Sequence, residues 1–325
     1  MEPTLYPLKF KPILKDKIWG GPRLREVLGK QASDKAGESW EISGVEGDIS
    51  VAENGFLAGN SLQELAEIYM GDLLGDSIYE RFGVEFPLLI KFIDAADVLS
   101  VQVHPDDVLA RERHNSYGKT EMWYILESDK GQLIAGFNRK LDREQYLQHF
   151  NGGTLKEILN YEAVVPGDIY FMPAGRVHAI GAGVLLAEIQ QTSDVTYRIY
   201  DWDRSDEQGK SRELHTDQAL EAIDFSFQSQ YKTYYQALNN STVSAVDSPF
   251  FTTSVIQLDQ PVEKDFNMID SFVIYMCMEG AVGITYGKGA VALIKKGETI
   301  LIPADLKNLA LIPTEPSTLL EVYIK

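Results

Sequence analysis

Four side chains that can bind a metal ion accompany short apolar segments of the chain. Gln102 and His104 lie two residues apart, so on a strand both project from the same face. Glu121 begins an apolar run, and His178 follows a Pro-Ala-Gly turn. Two imidazoles, a carboxylate and an amide oxygen suit Zn²⁺ and can also hold Fe²⁺ or Mn²⁺. Taken singly, each residue is more typical of an ordinary strand face or a hydrogen-bonded core histidine; the combination indicates a metal site.

Composition limits the partners of such a site. The chain has 325 residues, 30 basic and 48 acidic, with a net charge of −18. This charge argues against nucleic acid and against anionic membrane surfaces, which both require clustered Lys and Arg. A single cysteine, Cys277, rules out an internal disulfide and a cysteine-based zinc site. Without an apolar span or a signal peptide in the sequence, we expect a cytoplasmic globular protein of about two domains.

The elements that must position these residues are mostly strands. Helices are predicted after the capping box at Ser61, over Arg143–Phe150 with Asp142 as cap, after a second capping box at Thr154, and over Thr216–Ile223. Fourteen short β-branched or aromatic runs predict strands: residues 86–92, 98–103, 122–126, 132–137, 168–172, 184–190, 195–200, 252–258, 272–278, 283–286, 291–294, 299–302, 309–312 and 319–323. Their spacing is typical of a β-sandwich or barrel.

An internal repeat divides the chain. The segment from Gly167 to His178 aligns without a gap with the segment from Gly297 to Asn308, each reading as a glycine turn, an acid, an apolar strand and a Pro-Ala turn. The repeat predicts two related barrels. A polar stretch over residues 228–247 places the boundary, giving domains 1–235 and 236–325. The second copy ends in Asn308 and no histidine follows His215, so only the first barrel could hold a histidine-based site.

These motifs resemble a known superfamily. The pattern Gly167-x5-Pro173-x-Gly175-x2-His178 resembles the second cupin motif, and Gln102-x-His104 with the later Glu121 resembles the first. Glutamine in the first position and a distant glutamate are the pattern of type I mannose-6-phosphate isomerases. Further similarity lies in residues 17–21, 37–41, 87–91, 99–105, 119–121, 188–198 and 212–215. The resemblance implies the compact bacterial form: a mainly β fold of two cupin-like, jelly-roll barrels with a few short helices in the N-terminal half.

The resemblance also implies a site and a reaction. It places one Zn²⁺ per chain on Gln102, His104, Glu121 and His178. The family's basic active-site residues correspond to Lys119 and Arg198, a serine that contacts the substrate phosphate corresponds to Ser100, and a pocket carboxylate corresponds to Glu188. The expected reaction is the interconversion of mannose 6-phosphate and fructose 6-phosphate by proton transfer between C1 and C2 through a cis-enediol, with Arg198, Lys119 and Glu188 as catalytic residues.

Several alternatives stay open at this stage. Lys119 could bind phosphate or transfer a proton, and Glu188 could be the base or a strand carboxylate paired with Arg198. His114, His149 and His215 are not expected to be ligands, because they lie in polar helical stretches or before a helix. A non-catalytic sugar-phosphate-binding protein with two cupin barrels and a cupin iron oxygenase are the competing functions. We expect a small sugar phosphate as the partner, and a monomer or weak homo-oligomer.

Overall fold

The structure, a computed structural model, describes residues 5–205 and 209–325. Two antiparallel sheets are built from the first two thirds of the chain. The first sheet contains, in spatial order, β1 (Ile13–Asp16), β2 (Ala36–Ile42), β3 (Leu88–Ala95), β10 (Val184–Gln191), β5 (Glu121–Ser128), β8 (Ile169–Met172) and β12 (Lys232–Thr233). The second contains β11 (Tyr197–Tyr200), β4 (Val101–Val103), β9 (His178–Ile180), β6 (Gln132–Phe137) and β7 (Leu159–Ala163).

Two further antiparallel sheets follow. The third contains β13 (Ser241–Asp247), β14 (Thr252–Leu258), β21 (Ser317–Tyr323), β16 (Val273–Glu279) and β19 (Thr299–Ile302). The fourth contains β15 (Val262–Asp265), β20 (Asn308–Pro313), β17 (Ala281–Tyr286) and β18 (Ala290–Lys295). The predicted mainly β fold is therefore confirmed, and the proposed boundary after residue 235 falls between β12 and β13.

Short helices lie on the sheets. They are α1 (Arg23–Glu26), α2 (Leu62–Leu74), α3 (Asp76–Phe82), α4 (Asp107–His114), α5 (Arg143–Asn151) and α6 (Thr216–Ala222). The capping box at Ser61 and the Asp142 cap are confirmed. The prediction at Thr154 was wrong: one 3₁₀ turn follows, and the Thr154 hydroxyl bonds to the ring of His149 instead. None of the helices in this described part of the chain has the length and apolar character of a membrane span.

The four sheets stack in layers. Apolar residues of the first and second sheets meet in one buried cluster, which includes Trp123 and Ile180. The opposite face of the first sheet packs with α2 and the third sheet in the largest cluster, and the third and fourth sheets enclose another around Tyr275. Burial of about 25 cal/mol per Å² of apolar surface stabilises such layers. The second and first sheets thus form one sandwich, and the third and fourth form the other.

The repeat is present in three dimensions, with one local difference. Gly167 and Gly297 both adopt positive φ. The N–H of Gly167 donates to the carbonyl oxygen of Ile125 on β5, and the N–H of Gly297 donates to that of Cys277 on β16, both at 2.9 Å. The copies differ where they end: His178 is buried between its sheets, but Asn308 is exposed. The side chain that enters the second sandwich is instead the next residue, Leu309. A one-residue shift of this kind exchanges the two faces of a strand.

Candidate active site

Strands of the facing sheets bring the predicted ligands together. Gln102 and His178 pair directly across β4 and β9, and His104 follows the end of β4. Glu121 is the first residue of β5 in the opposite sheet. The ligand atoms of His104, Glu121 and His178 all lie within 4.8 Å of one another, and all three residues are buried.

The two histidines present unprotonated nitrogens to each other. Nδ1 of His104 lies 3.0 Å from the carbonyl oxygen of Val195, and Nδ1 of His178 lies 2.7 Å from that of Arg176. A carbonyl oxygen can only accept, so each Nδ1 carries the proton and each Nε2 exposes a lone pair. Burial also lowers the pKa of His178 to about 4 and that of His104 well below its usual value, which keeps both rings neutral. Neutral imidazoles oriented by backbone carbonyls are typical metal ligands.

Glu121 completes this cluster with an unsatisfied carboxylate. Its two oxygens lie 3.2 Å from Nε2 of His178 and 3.5 Å from Nε2 of His104. Because neither nitrogen carries a proton, these contacts are not hydrogen bonds, and both oxygens lack hydrogen-bond partners within the described residues. Burial, followed by the charge of Glu188, raises the pKa of Glu121 to about 8. Two imidazole lone pairs and a buried carboxyl group that converge on one point fit a divalent cation.

Gln102 also borders the cluster. The nitrogen of its amide lies 3.3 Å from Nε2 of His178. Metal ligation would use the carbonyl oxygen of the same amide, which a half-turn of the terminal bond exchanges with the nitrogen. The donor set of the four predicted residues therefore suits Zn²⁺ or a related divalent ion.

A row of alternating charges continues from the cluster along the inner face of the first sheet. Nζ of Lys17 lies 3.0 Å from Glu38, and Nζ of Lys91 lies 3.0 Å from Oε1 of Glu188. Burial opposes ionisation of Glu38, but Lys91, Lys17 and the Trp40 indole outweigh it and lower its pKa to about 2. Burial likewise opposes ionisation of Glu188, but the charges of Lys91 and Lys119 lower its pKa.

Sequence reasoning missed Lys91 and Glu38 as site residues. Lys91 is 5% exposed, in a strand whose eight residues are all buried. A lysine inside such an apolar run is a signal, because buried lysines need a charged partner. The partner also corrects one alternative: Glu188 pairs with Lys91 rather than with Arg198.

Lys119 and Ser100 lie near the candidate metal ligands in the chain. Nζ of Lys119 is 3.5 Å from Oε2 of Glu121, and the side chain is buried. Ser100 is buried immediately before β4. Each residue precedes a candidate ligand by two positions, Lys119 before Glu121 and Ser100 before Gln102.

Arg198 lies on β11, the edge strand next to β4. It pairs with Gln102 in the register of β11 and β4, and its Nη1 donates to the carbonyl oxygen of Glu213 at 2.8 Å. Its Nε is buried without a hydrogen-bond partner among the described residues, and burial lowers the pKa of the guanidinium. Arg198 lines a cavity of about 870 Å³, among whose described lining residues four are basic (Arg198, Arg204, Lys210 and Arg212) and two are acidic (Asp201 and Glu213). A basic cavity in a chain of net charge −18 suits an anionic ligand.

The other histidines have different partners. The ring of His114 bonds to the Tyr197 hydroxyl at 2.8 Å, and Nδ1 of His215 accepts from the backbone N–H of Arg198 at 3.1 Å. Neither residue belongs to the cluster of His104, Glu121 and His178 in the described part of the chain. That they are not metal ligands stays a prediction.

Comparison with known proteins supports the sequence resemblance. The family model "Phosphomannose isomerase type I, catalytic domain" matches residues 7–138. The mannose-6-phosphate isomerase of Streptococcus mutans serotype c is 36% identical over 93% of this chain and 94% of its own. Mannose-6-phosphate isomerase ManA of Bacillus subtilis is 36% identical over 93% of this chain and 95% of its own.

Solved structures agree. The crystal structure of the mannose 6-phosphate isomerase from Bacillus subtilis superposes with a TM-score of 0.88 at 31% identity, covering 98% of this chain and all of that one. The predicted family is confirmed, and with it the two-sandwich cupin architecture. The chain belongs to the type I phosphomannose isomerase family.

Proposed function

We propose that this protein interconverts mannose 6-phosphate and fructose 6-phosphate with the help of one Zn²⁺ per chain. The observation that carries the proposal is the buried cluster of His104, Glu121 and His178, whose ligand atoms converge while both oxygens of Glu121 lack hydrogen-bond partners among the described residues. Membership of the family supplies the substrate pair. The metal would be held by these three residues and Gln102, and when bound it supplies a Lewis acid that polarises the sugar oxygens at C1 and C2.

The proton transfer needs a base that is ionised near neutral pH. The reaction removes the proton from C2 of the open-chain aldose, forms a cis-enediol, and returns a proton to C1, so oxidation at C2 is balanced by reduction at C1. Glu188 is our first candidate, because its pKa is lowered and its carboxylate is held by Lys91. Lys119 is the second candidate, through its position beside Glu121.

The phosphate would be bound by basic groups. Arg198 has a buried, unpartnered Nε in the basic cavity, and guanidinium groups bind phosphate oxygens through fixed, charge-assisted hydrogen bonds. We assign Lys119 and Ser100 to the same task, as the family resemblance implies. Remote binding of this kind would hold C1 and C2 in place for the proton transfer.

The test is turnover of mannose 6-phosphate to fructose 6-phosphate, before and after chelator treatment and with zinc added back. We expect activity that is lost with chelator and restored by zinc. Proton exchange between C1 or C2 and deuterated water should accompany it. Tight sugar-phosphate binding without exchange would favour the binding-protein alternative, and bound iron with oxygen uptake would favour the oxygenase; either result overturns the proposal.

The Arg198 assignment has a separate test. Arg198→Gln should raise KM for mannose 6-phosphate at least tenfold, because one charge-assisted contact contributes about 1.5–3 kcal/mol. Lys288→Gln removes an exposed positive charge in the second sandwich and is the matched control for net charge. Equal KM values in the two variants would remove Arg198 from the phosphate site.

The second sandwich has a structural role in this proposal. Leu309 enters its interior where His178 enters the first, and Val273 stands at the position of Glu121 in the strand register. We retain the domain boundary after residue 235 and a monomer or weak homo-oligomer as proposals. Light scattering over a range of concentrations tests the latter.

A further inference from the structure

We propose that Trp123 is a positioning residue of the active site, which fixes the Glu188 carboxylate through its indole N–H and the His178 ring through an edge-to-face contact. This inference rests on the function proposed above and extends it. Trp123 has no exposed surface and lies on β5, two residues after Glu121.

The contacts of Glu188 show what the indole contributes. Nε1 of Trp123 donates to Oε2 of Glu188 at 2.8 Å, and Nζ of Lys91 lies 3.0 Å from Oε1. Oε1 has no hydrogen-bond partner among the described residues, because the Lys91 ammonium donates to Oε1 of Gln190 at 2.7 Å. The indole therefore supplies the hydrogen bond that orients the carboxylate, and Lys91 supplies the charge beside its other oxygen. A base must be aimed in this way at the carbon-bound proton.

The same indole contacts a proposed metal ligand. The rings of Trp123 and His178 lie 5.3 Å apart between centroids at an interplanar angle of 75°, an edge-to-face arrangement. The His178 ring is otherwise held by the Arg176 carbonyl oxygen at Nδ1. Trp123 therefore connects the candidate base to one histidine of the metal cluster.

The second sandwich contains an equivalent pair without a metal cluster among the described residues. Tyr275 pairs with Glu321 in the register of β16 and β21, as Trp123 pairs with Glu188 in β5 and β10. The Tyr275 hydroxyl donates to Oε2 of Glu321 at 2.6 Å, and Nζ of Lys264 lies 2.6 Å from the same carboxylate oxygen. Tyr275 is fully buried, so the two aromatic residues are matched in burial, register and carboxylate partner.

The equivalence of the two pairs provides a control variant at Tyr275 and a rescue variant, Trp123→Tyr. Trp123→Phe and Tyr275→Phe each remove one buried donor to a buried carboxylate, and both should destabilise the protein. Trp123→Phe should destabilise it more, because the smaller ring also leaves a cavity. Only Trp123→Phe should lower kcat, by about 10- to 100-fold with less than a threefold change in KM, as expected for a charge-assisted hydrogen bond. Trp123→Tyr should recover most of kcat, since a tyrosine hydroxyl reaches the carboxylate at the equivalent position.

Two further readouts separate positioning from general stability. In a Glu188→Asp background the shortened side chain already breaks the hydrogen bond, so adding Trp123→Phe should lower kcat by less than threefold. Zinc affinity, measured by competition with a chromophoric chelator, should change less than threefold in Trp123→Phe, which keeps a ring against His178. It should fall at least tenfold in Trp123→Leu.

The outcomes distinguish this inference from the proposed function. Wild-type turnover is measured in the same experiment, and its absence overturns the function itself. If the wild type is active, the positioning role is overturned when Trp123→Phe lowers kcat no more than Tyr275→Phe does. It is also overturned when the loss persists undiminished in the Glu188→Asp background. If Trp123→Phe does not fold, Trp123→Tyr carries the same comparison: a kcat within threefold of wild type supports the role, and a loss of more than 30-fold with unchanged stability contradicts it.

Discussion

The Nε2 atoms of His104 and His178 lie 3.1 Å apart, although both rings donate their protons to backbone carbonyl oxygens on the far side. Two lone pairs at this distance repel each other, and the oxygens of Glu121 lie beside them at 3.5 and 3.2 Å. The sheets hold this arrangement through strand pairing, at the expense of local stability. A cation bound between these atoms would relieve the repulsion.

Metal removal should therefore lower the stability of the protein. Zinc at 100 times its Kd should stabilise the folded state by about 2.7 kcal/mol relative to the metal-free protein. Differential scanning calorimetry with and without chelator measures this shift. His104→Ala should show almost no response to added zinc, whereas His149→Ala, outside the cluster, should respond like the wild type. An identical response in both variants would contradict the assignment.

The stability of the metal-free protein should depend on pH through the ionisation of Glu121. Its pKa is raised to about 8 in the folded state, against about 4.3 in an unfolded chain. Between these values the folded state holds a proton that the unfolded state has lost. We therefore compare the free energy of unfolding of the wild type with that of Glu121→Gln at each pH. The wild-type value minus the variant value should fall by up to about 1.4 kcal/mol per pH unit as the pH rises from 5 to 8.

Urea unfolding of both proteins in chelator, at several pH values, checks this difference. Taking the difference cancels the opposite contribution of His104 and His178, whose lowered pKa values make stability rise with pH below about 6.5. If the free energies of unfolding of the wild type and Glu121→Gln changed with pH in parallel, the raised pKa of Glu121 would be contradicted.

Lys91 should be essential for stability as well as for activity. Lys91→Met leaves the buried carboxylate of Glu188 without its cation, and loss of one partner of a buried ion pair costs about 3–5 kcal/mol. Unfolding by urea measures the effect. Adding Glu188→Gln to Lys91→Met should restore part of the loss, because the unpaired charge is then removed. Lys325→Met, which breaks an exposed ion pair with Asp247, should leave stability unchanged.

Cys277 should be inert in the folded protein. It is buried in the second sandwich, and burial together with the charge of Glu298 raises its pKa to about 12. Thiolates rather than thiols react with alkylating reagents. Mass spectrometry should detect no labelling by iodoacetamide at pH 8 under native conditions, and one label per chain in denaturant. Rapid native labelling would contradict the packing of β16.

Most of the framework follows from local patterns in the sequence. Each of the fourteen predicted runs overlaps an observed strand, and the four candidate ligands were recognised by their types and spacing. Apolar alternation and turn residues are local signals, so they can be recognised without knowing which strands pack together. Five of the seven strands that were missed (β1, β7, β12, β13 and β15) lie at sheet edges, where one side is open and a polar sequence is tolerated.

The pairing of the charged residues depends on which strands become neighbours in the folded protein. The two interior strands that were missed, β2 and β9, carry Glu38 and His178, residues whose polarity breaks the apolar pattern. Glu188 forms its ion pair with Lys91 and not with Arg198, and Asn308 is exposed whereas His178 is buried. These choices depend on which strands become neighbours and in which register. Contacts between residues about a hundred positions apart produce no periodic pattern in a single sequence. The candidate ligands could therefore be predicted from the sequence, whereas the ion-pair partners of the charged residues could not.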